Sequence, residues 1–236
     1  MSTAIIDGIS TRYEMVGSGP PLLMYAPGGF DATLEKWSTQ GIYAKIKFLD
    51  HLPKNYTCIA FDRRECGQSG GRVERVTWQH YVTQGRGLLR HLGFERAHVM
   101  GGCMGVSCAV AFGADPRGGP WASVIKRDPA FAEAYAKQNA EAYKLIVAAM
   151  ARSLFDRDTA PGAEPEDLLR LDIPALVIPG RDASHATSAA RYLEECLPRA
   201  EYWDVPVAGQ TEETVPARVM EFLEKLGASD MRTHIP

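Results

Sequence analysis

The sequence predicts an α/β fold in which a mostly parallel sheet carries helices on both faces. Short apolar runs without polar alternation recur along the chain, and such runs are typical of strands that are buried on both faces. Segments with apolar residues at helical spacing lie between most of these runs, and this alternation is typical of a parallel sheet. The 236 residues suit one hydrophobic core, so we predict a single domain over residues 1–236.

The predicted strands each end at glycine, proline or charged residues. They cover residues 21–26, 56–61, 97–100, 174–178 and 201–207. Residues 4–16 contain two β-rich pieces on either side of Gly8, which predicts an antiparallel hairpin ahead of the parallel strands.

Helical spacing of apolar residues occurs in four segments between the strands. These segments are residues 34–52, 78–92, 188–197 and 215–226. Thr77 is the predicted N-cap of the second helix, because a threonine hydroxyl accepts a hydrogen bond from the first helical turn. Gly93 is its predicted stop.

Residues 115–170 interrupt the alternation of strands and helices. They open with a segment rich in proline and glycine, continue with an alanine-rich stretch that predicts a helix over 129–155, and end in a polar segment with two prolines. We therefore predict a small helical cap over 115–170. The chain is short for a full sheet with such a cap, so a sheet that lacks one strand stays an alternative.

Composition and charge exclude several classes of partner. Lys and Arg total 26 against 29 Asp and Glu, and this small acidic excess disfavours nucleic acids and anionic membranes. No apolar run reaches the roughly 18 to 20 residues that span a bilayer, and the first residues lack a signal-peptide pattern. We therefore expect no membrane partner and a small-molecule substrate, and a homodimer stays an open alternative.

The five cysteines indicate a reducing compartment. Their number is odd and no Cys-x-x-Cys spacing occurs, which disfavours both a disulfide framework and a zinc ribbon. We therefore predict a cytoplasmic protein. The sequence also has no cluster with metal-ligand spacing and no glycine-rich phosphate fingerprint, so we expect no metal and no cofactor.

The pentapeptide Gly101-Gly102-Cys103-Met104-Gly105 is the most informative motif. It has the form Gly-x-nucleophile-x-Gly, and it follows a predicted strand and precedes a run of small residues that predicts a helix. A sharp strand-to-helix turn holds a nucleophile in a strained conformation, and glycines allow the close packing that this turn needs. The helix N-terminus then favours a thiolate at Cys103 and a nearby oxyanion.

Together with four other segments, this motif resembles the α/β-hydrolase family. The segments occur in the order of the family: residues 26–30 resemble its oxyanion loop, 61–69 its Asp-x-Arg-Gly-x-Gly-x-Ser loop, 101–105 its nucleophile elbow with Cys for Ser, 174–182 its acid loop and 206–210 its last strand and loop. The resemblance covers most of the chain.

The resemblance implies a nucleophile and an oxyanion hole. Cys103 is the implied nucleophile, and the oxyanion hole consists of the Met104 N–H together with an N–H from Gly29 or Phe30, in the loop that begins at Gly28.

Two departures from the family pattern affect the other catalytic groups. Gln210 stands where the family carries its histidine, and Asp182 lies one place before the usual acid position. His185 lies in the same loop as Asp182, so we predict a Cys103–His185 pair with Asp182 orienting or stabilising the imidazolium. The alternatives are an Asp182 that only caps a helix and a His185 without a chemical role.

The resemblance predicts hydrolysis of a small ester, thioester or lactone through an acyl-enzyme on Cys103. A hydrolase of carbon–carbon bonds is one alternative, and a non-catalytic ligand-binding homologue is another, because Gln210 cannot accept a proton. Arg63 and Arg64 are interpreted as partners in a loop salt bridge, with contact to an anionic substrate as the alternative.

Overall fold

The structure is a computed structural model, and it describes residues 1–71, 76–114, 165–181, 185 and 187–226. The predicted helix over 129–155 and most of the predicted cap lie outside the described residues. Of the cap, the structure describes only its last residues, which include a short helix.

The described strands form two groups. The strands are β1 (Ser2–Ile6), β2 (Ile9–Val16), β3 (Pro21–Tyr25), β4 (Thr57–Phe61), β5 (His98–Gly101), β6 (Ala175–Val177) and β7 (Ala200–Tyr202). The first five form one sheet in the order β1-β2-β4-β3-β5, and β6 and β7 form a parallel pair. In the larger sheet, the pairs β1–β2 and β2–β4 are antiparallel and the pairs β3–β4 and β3–β5 are parallel.

The predicted hairpin and the first four predicted strands are confirmed, whereas the last strand is shorter than predicted. It pairs through β7, and the Trp203 N–H still donates to the Val177 carbonyl at 3.0 Å. Pro206 has no N–H to continue a ladder, and the chain turns there into a short 3₁₀ helix, Val207–Gly209. Residues 115–164 lie between β5 and β6 in sequence, so the absence of a sheet strand stays a prediction.

The helices begin and end near their predicted positions, with one exception. They are α1 (Lys36–Thr39), α2 (Gly41–Ile46), α3 (Phe48–His51), α4 (Trp78–His91), α5 (Met104–Ala114), α6 (Pro165–Leu169), α7 (Thr187–Cys196) and α8 (Thr214–Leu226). The single helix predicted over 34–52 is wrong. Gln40 is extended and Lys47 is left-handed with φ of 55°, so the segment divides into α1, α2 and α3.

The predicted boundaries of α4 are confirmed by its hydrogen bonds. Thr77 accepts a hydrogen bond from the His80 N–H, and the His80 ring accepts one from the Thr77 N–H, which forms a reciprocal cap. Gly93 takes a φ of 79° after the last turn and closes the helix by donating to the Arg90 carbonyl.

Two hydrophobic layers cover the larger sheet, one on each face. Leu23 and Tyr25 of β3 pack with α4 and α5, whereas Leu22 and Met24 of the same strand pack with α1 to α3 and α8. Successive side chains of a strand point to opposite faces, so a strand covered on both sides must be apolar throughout. This explains why the parallel strands show no alternation in the sequence.

A buried carboxylate at the end of β4 joins three segments of the chain. Asp62 is fully buried and accepts hydrogen bonds from Arg12 Nη1 at 3.2 Å and from the N–H groups of Leu34 and Gln68, each at 2.9 Å. Arg12 also pairs with Glu35. Asp62 therefore fixes the loops after β3 and β4 against β2, at the edge of the sheet where the candidate site lies.

We expect Asp62→Asn to lower the free energy of unfolding by about 2 to 4 kcal/mol, because the buried Arg12 loses one of its two carboxylate partners and the new amide NH2 faces N–H donors. Urea denaturation measures this change. Asp172→Asn is the control, since Asp172 forms an exposed pair with Arg199 at 3.6 Å and should be nearly neutral. Equal stability of the two variants would contradict the role of Asp62.

Candidate active site

Cys103 occupies a tight turn between β5 and α5. Its φ of 53° is in the left-handed region, where a non-glycine residue is strained. The turn is closed by two hydrogen bonds, from the Gly105 N–H to the Gly102 carbonyl at 2.8 Å and from the Val106 N–H to the Cys103 carbonyl at 3.1 Å. The local geometry is therefore that of the predicted strand-to-helix turn.

The glycines on either side of Cys103 are required by the close approach of backbones. A Cβ on Gly101 would lie 2.1 Å from the Gly105 carbonyl oxygen, and a Cβ on Gly105 would lie 2.2 Å from the Tyr25 carbonyl oxygen. Neither distance is sterically allowed, and backbone atoms cannot move aside as a flexible side chain can. The spacing Gly-x-Cys-x-Gly thus reflects the packing of α5 directly against β3 and β5.

The Cys103 thiol lies among groups that favour its anion. Burial raises the pKa of the thiol, but hydrogen bonding to the His185 side chain and its positive charge, together with the N–H groups of Gly28 and Met104, outweigh burial and leave the pKa below its ordinary value. The structure therefore brings Cys103 and His185 together, as the predicted pair requires.

The other four cysteines have the opposite electrostatic surroundings. Burial raises the pKa of Cys58 and of Cys66 to about 12, and it also raises the pKa of Cys108. Cys196 is partly exposed, and its pKa is also raised by burial. Cys103 alone among the five combines partial exposure with a lowered pKa, so its environment selects it for thiolate chemistry.

The predicted oxyanion loop lies beside Cys103. The Gly28 N–H is the loop group that acts on the thiol. The Gly29 carbonyl accepts a hydrogen bond from the Arg63 side chain, and the Phe30 side chain is buried in the core. Asp182, the predicted acid, lies outside the described residues, so its role stays a prediction.

Gln210 is a structural residue next to this site. Its side-chain amide is buried and donates to the Pro179 carbonyl at 2.8 Å and to the Val205 carbonyl at 3.4 Å. Gly180 follows Pro179, and a Cβ on Gly180 would lie only 2.3 Å from the His185 Cβ. Gln210 thus fastens the backbone on which His185 packs. Where the resemblance predicts a histidine base, the chain thus carries an amide that supports the neighbouring loop.

Two arginines that follow β4 have different surroundings. The interpretation as a loop salt bridge is confirmed for Arg64, whose Nη1 lies 3.3 Å from Asp7 Oδ2. It is wrong for Arg63, which is fully buried and has no carboxylate within ion-pair distance among the described residues. The sequence alone cannot distinguish the arginine that is fully buried from the one that forms an ion pair, because the two residues are adjacent and identical.

Glu65 is a titratable group that sequence reasoning missed. It stands where the family loop has its glycine, and its φ of 60° is the conformation that a glycine adopts freely. Glu65 Oε1 accepts a hydrogen bond from the Tyr81 hydroxyl at 2.6 Å. Burial raises the pKa of Glu65 to about 7, although the Tyr81 hydrogen bond and the charges of Arg63 and Arg64 lower it. The mismatch with the family glycine was its only signal in the sequence.

Neither a metal site nor a bilayer-spanning helix is found in the part of the chain that the structure describes. No three His, Cys, Asp or Glu side chains come together there in a way that would hold a metal ion. None of the helices in that part combines the length and apolar character that a bilayer requires.

No family model matches the chain, and the curated relatives match only half of it. It is 38% identical over 122 residues to a proline iminopeptidase of Xanthomonas citri, which is 49% of this chain and 35% of that protein. It is 31% identical over 114 residues to a soluble epoxide hydrolase of a Corynebacterium species, which is 48% of this chain and 36% of that protein. The chain thus spans about a third of the length of these relatives.

Solved structures match almost the whole chain. An enol-lactonase from Burkholderia xenovorans superposes with a TM-score of 0.68 at 18% identity, over 94% of this chain and 100% of the other. A meta-cleavage product hydrolase from Pseudomonas fluorescens gives a TM-score of 0.65 at 19% identity, over 96% and 98% of the two chains. This protein therefore has the α/β-hydrolase fold.

The pH dependence of Cys103 alkylation should report its pairing with His185. We expect iodoacetamide to label Cys103 with a midpoint below the ordinary cysteine pKa of about 8.5. In His185→Ala the midpoint should rise by about one pH unit or more, because burial remains while the favourable histidine is gone. Peptide mass spectrometry after timed labelling measures both midpoints.

The control for this labelling is His51→Ala. His51 bonds to Glu212 at 3.2 Å and is not among the groups that shift the pKa of Cys103, so its loss should leave the midpoint unchanged. Identical midpoints in the wild type and in His185→Ala would contradict the pair.

The raised pKa of Glu65 makes the stability depend on pH. Since the folded-state pKa of about 7 lies above the ordinary value, the folded protein holds a proton that the unfolded chain releases, and this stabilisation is lost as the pH rises through about 7. We expect the wild type to lose about 2 kcal/mol relative to Glu65→Gln between pH 5 and pH 8. Urea denaturation at both pH values tests this, with the exposed Glu95→Gln as control. Parallel pH profiles of wild type and Glu65→Gln would show that the prediction is wrong.

Proposed function

We propose that this protein hydrolyses an ester, thioester or lactone of a small acid through an acyl-enzyme on Cys103. The observation that carries the proposal is the combination of a strained turn at Cys103 with a thiol whose pKa is lowered by His185 and by two N–H groups. A nucleophile with an adjacent base and backbone donors is the arrangement that acyl transfer requires.

The first half of the proposed reaction forms the acyl-enzyme. The Cys103 thiolate attacks the acyl carbon, a carbon–sulfur bond forms, and the carbonyl π electrons move to the oxygen. The N–H groups of Met104 and of the loop at Gly28 stabilise this oxyanion. As the carbonyl re-forms, the bond to the leaving oxygen or sulfur breaks, and the His185 imidazolium gives its proton to the leaving group.

The second half releases the acid. Neutral His185 takes a proton from a water molecule, and the resulting hydroxide attacks the acyl carbon of the thioester. The carbon–sulfur bond breaks, so the electron pair returns to Cys103 as a thiolate and the carboxylic acid leaves. The starting thiolate–imidazolium pair is thereby restored. Asp182 precedes His185 by three residues and remains the proposed partner of the imidazolium.

The substrate class is supported by similar proteins. The enol-lactonase of Burkholderia xenovorans and the meta-cleavage product hydrolase of Pseudomonas fluorescens share the fold over nearly the whole chain. A lactone is an internal ester, so its opening uses the steps given above. Cleavage of a carbon–carbon bond is the second candidate, favoured by the likeness to the meta-cleavage hydrolase.

A non-catalytic ligand-binding role is the rival from another class. Its support is Gln210, whose amide occupies the position of the family histidine and cannot accept a proton. In that role the protein would bind a small molecule near Cys103 without turning it over. The two roles differ in whether an acyl group is ever transferred to Cys103.

Turnover of small model substrates tests the proposal. We expect the wild type to hydrolyse p-nitrophenyl acetate, phenyl thioacetate or dihydrocoumarin with a burst of acetyl-Cys103 for the first two, whereas Cys103→Ala abolishes both burst and turnover. His185→Ala should lower kcat roughly 10²- to 10⁴-fold, as expected when a general base is lost. Stopped-flow absorbance and intact-protein mass spectrometry are the measurements.

Cys196→Ala is the matched control, because it removes the other partly exposed cysteine and should retain turnover. Stabilisation by a ligand without any acylation would favour the binding role. Acylation of Cys103→Ala at the wild-type rate would overturn the proposed nucleophile.

A further inference from the structure

The Arg63 side chain lies directly beneath the loop that faces Cys103. Arg63 Nη2 donates to the Gly28 carbonyl at 3.0 Å and also to the Gly29 carbonyl. The backbone N–H of the same arginine donates to the Ala32 carbonyl at 3.1 Å. One residue thus holds three carbonyls of the segment that contains the candidate oxyanion donors.

Because a peptide unit is planar, hydrogen bonds to the carbonyls of the loop also fix the directions of its N–H groups. In a trans peptide the N–H points away from the carbonyl of the same unit. The carbonyls of Gly28 and Gly29 point toward the guanidinium, so the N–H groups of Gly29 and Phe30 are directed away from it. The Gly28 N–H, one peptide earlier, acts on the Cys103 thiol.

The burial of Arg63 is costly, which argues for a role beyond packing. Its side chain is fully buried, and its charge is compensated by carbonyls, by Cys108 Sγ at 3.4 Å from Nη1 and by the Tyr81 ring centroid at 4.9 Å from the guanidinium carbon. Replacing Arg63 by an apolar residue would remove this desolvation cost, but it would leave the Gly28 and Gly29 carbonyls without their donor. The planar fork of arginine, however, is well suited to binding two carbonyls at once.

The surroundings hold the guanidinium in a fixed position. The Tyr81 ring covers one face of the guanidinium, and the Tyr81 hydroxyl is itself held by Glu65 at 2.6 Å. Cys108 on α5 contacts Nη1, so the arginine also touches the helix that begins immediately after Cys103. The Arg63 guanidinium therefore links α5 to the loop that begins at Gly28.

We propose that Arg63 is a positioning residue that sets the Gly28–Phe30 loop so that its N–H groups face Cys103 and the oxyanion formed there. The inference rests on the proposed function for the oxyanion, but its effect on the thiol is independent of any substrate. Arg63 touches neither the thiol nor, in this arrangement, the reacting atoms, and it acts through the backbone of the loop.

The test compares Arg63→Met and Arg63→Lys with Arg64→Met. In Arg63→Met we expect the midpoint of Cys103 alkylation to rise by about half a pH unit or more, because Gly28, whose carbonyl Arg63 binds, is no longer fixed with its N–H at the sulfur. For an ester that the wild type hydrolyses, kcat should fall roughly 10- to 100-fold while KM changes little, as expected for lost oxyanion orientation. Arg63→Lys keeps the charge and should recover part of both effects.

Arg64→Met is the matched control, since Arg64 is also buried but its guanidinium pairs with Asp7 instead of the loop carbonyls. It should change stability without moving the alkylation midpoint. A folded Arg63→Met with the wild-type midpoint and wild-type kcat would overturn the proposal. If neither Arg63 variant folds while Arg64→Met does, Arg63 is a folding residue and the proposal is equally overturned.

The same measurements separate this inference from the proposed function. If the wild type hydrolyses none of the esters but the midpoint still moves in Arg63→Met, the positioning role stands and the hydrolase proposal fails. If the wild type turns over substrate and Arg63→Met is unchanged, the hydrolase proposal stands and the positioning role fails.

Discussion

The close approach of α5 to β3 is the constraint on which the rest of the site depends. Gly105 lies so near the Tyr25 carbonyl that no side chain fits between them, and Gly101 is equally close to Gly105. This contact forces the chain to reverse within two residues, which leaves Cys103 with a left-handed backbone at the end of the sheet. A looser packing of the helix would relax the turn and remove the thiol from the N–H groups beside it.

Two neighbouring residues of the loop after β4 hold the backbone near this turn by hydrogen bonds, and their chemistry differs. Asp62 is a buried acceptor of hydrogen bonds from backbone N–H groups and from Arg12. Arg63 is a buried donor of hydrogen bonds to carbonyls of the segment beside Cys103. Together they pair with both N–H groups and carbonyl groups of the segment that follows β3. Buried polar groups of this kind favour one conformation strongly, because any alternative leaves a charge without partners.

Gln210, which stands where the resemblance predicts a histidine, contributes to the support of the site. An amide can donate to two carbonyls where a catalytic imidazole would have to stay available for proton transfer. The loop after β6 is held by this amide, and His185 of the same loop acts on the Cys103 thiol. A thiol, which ionises more readily than a hydroxyl, tolerates such a change of base better than a serine would.

The sequence by itself determined the α/β class, most strand positions, the ends of α4 and the sharp strand-to-helix turn at Cys103, because buried strands, caps and the Gly-x-Cys-x-Gly turn depend on local periodicity and backbone sterics. It also indicated His185, since Cys103 and His185 each follow a strand that the sequence predicts to be parallel. Only the tertiary structure decided the break at Lys47, the structural use of Gln210 and the burial of Arg63 and Glu65. Those outcomes depend on partners distant in the chain, which supply or withhold the hydrogen bonds and the dielectric environment of each group.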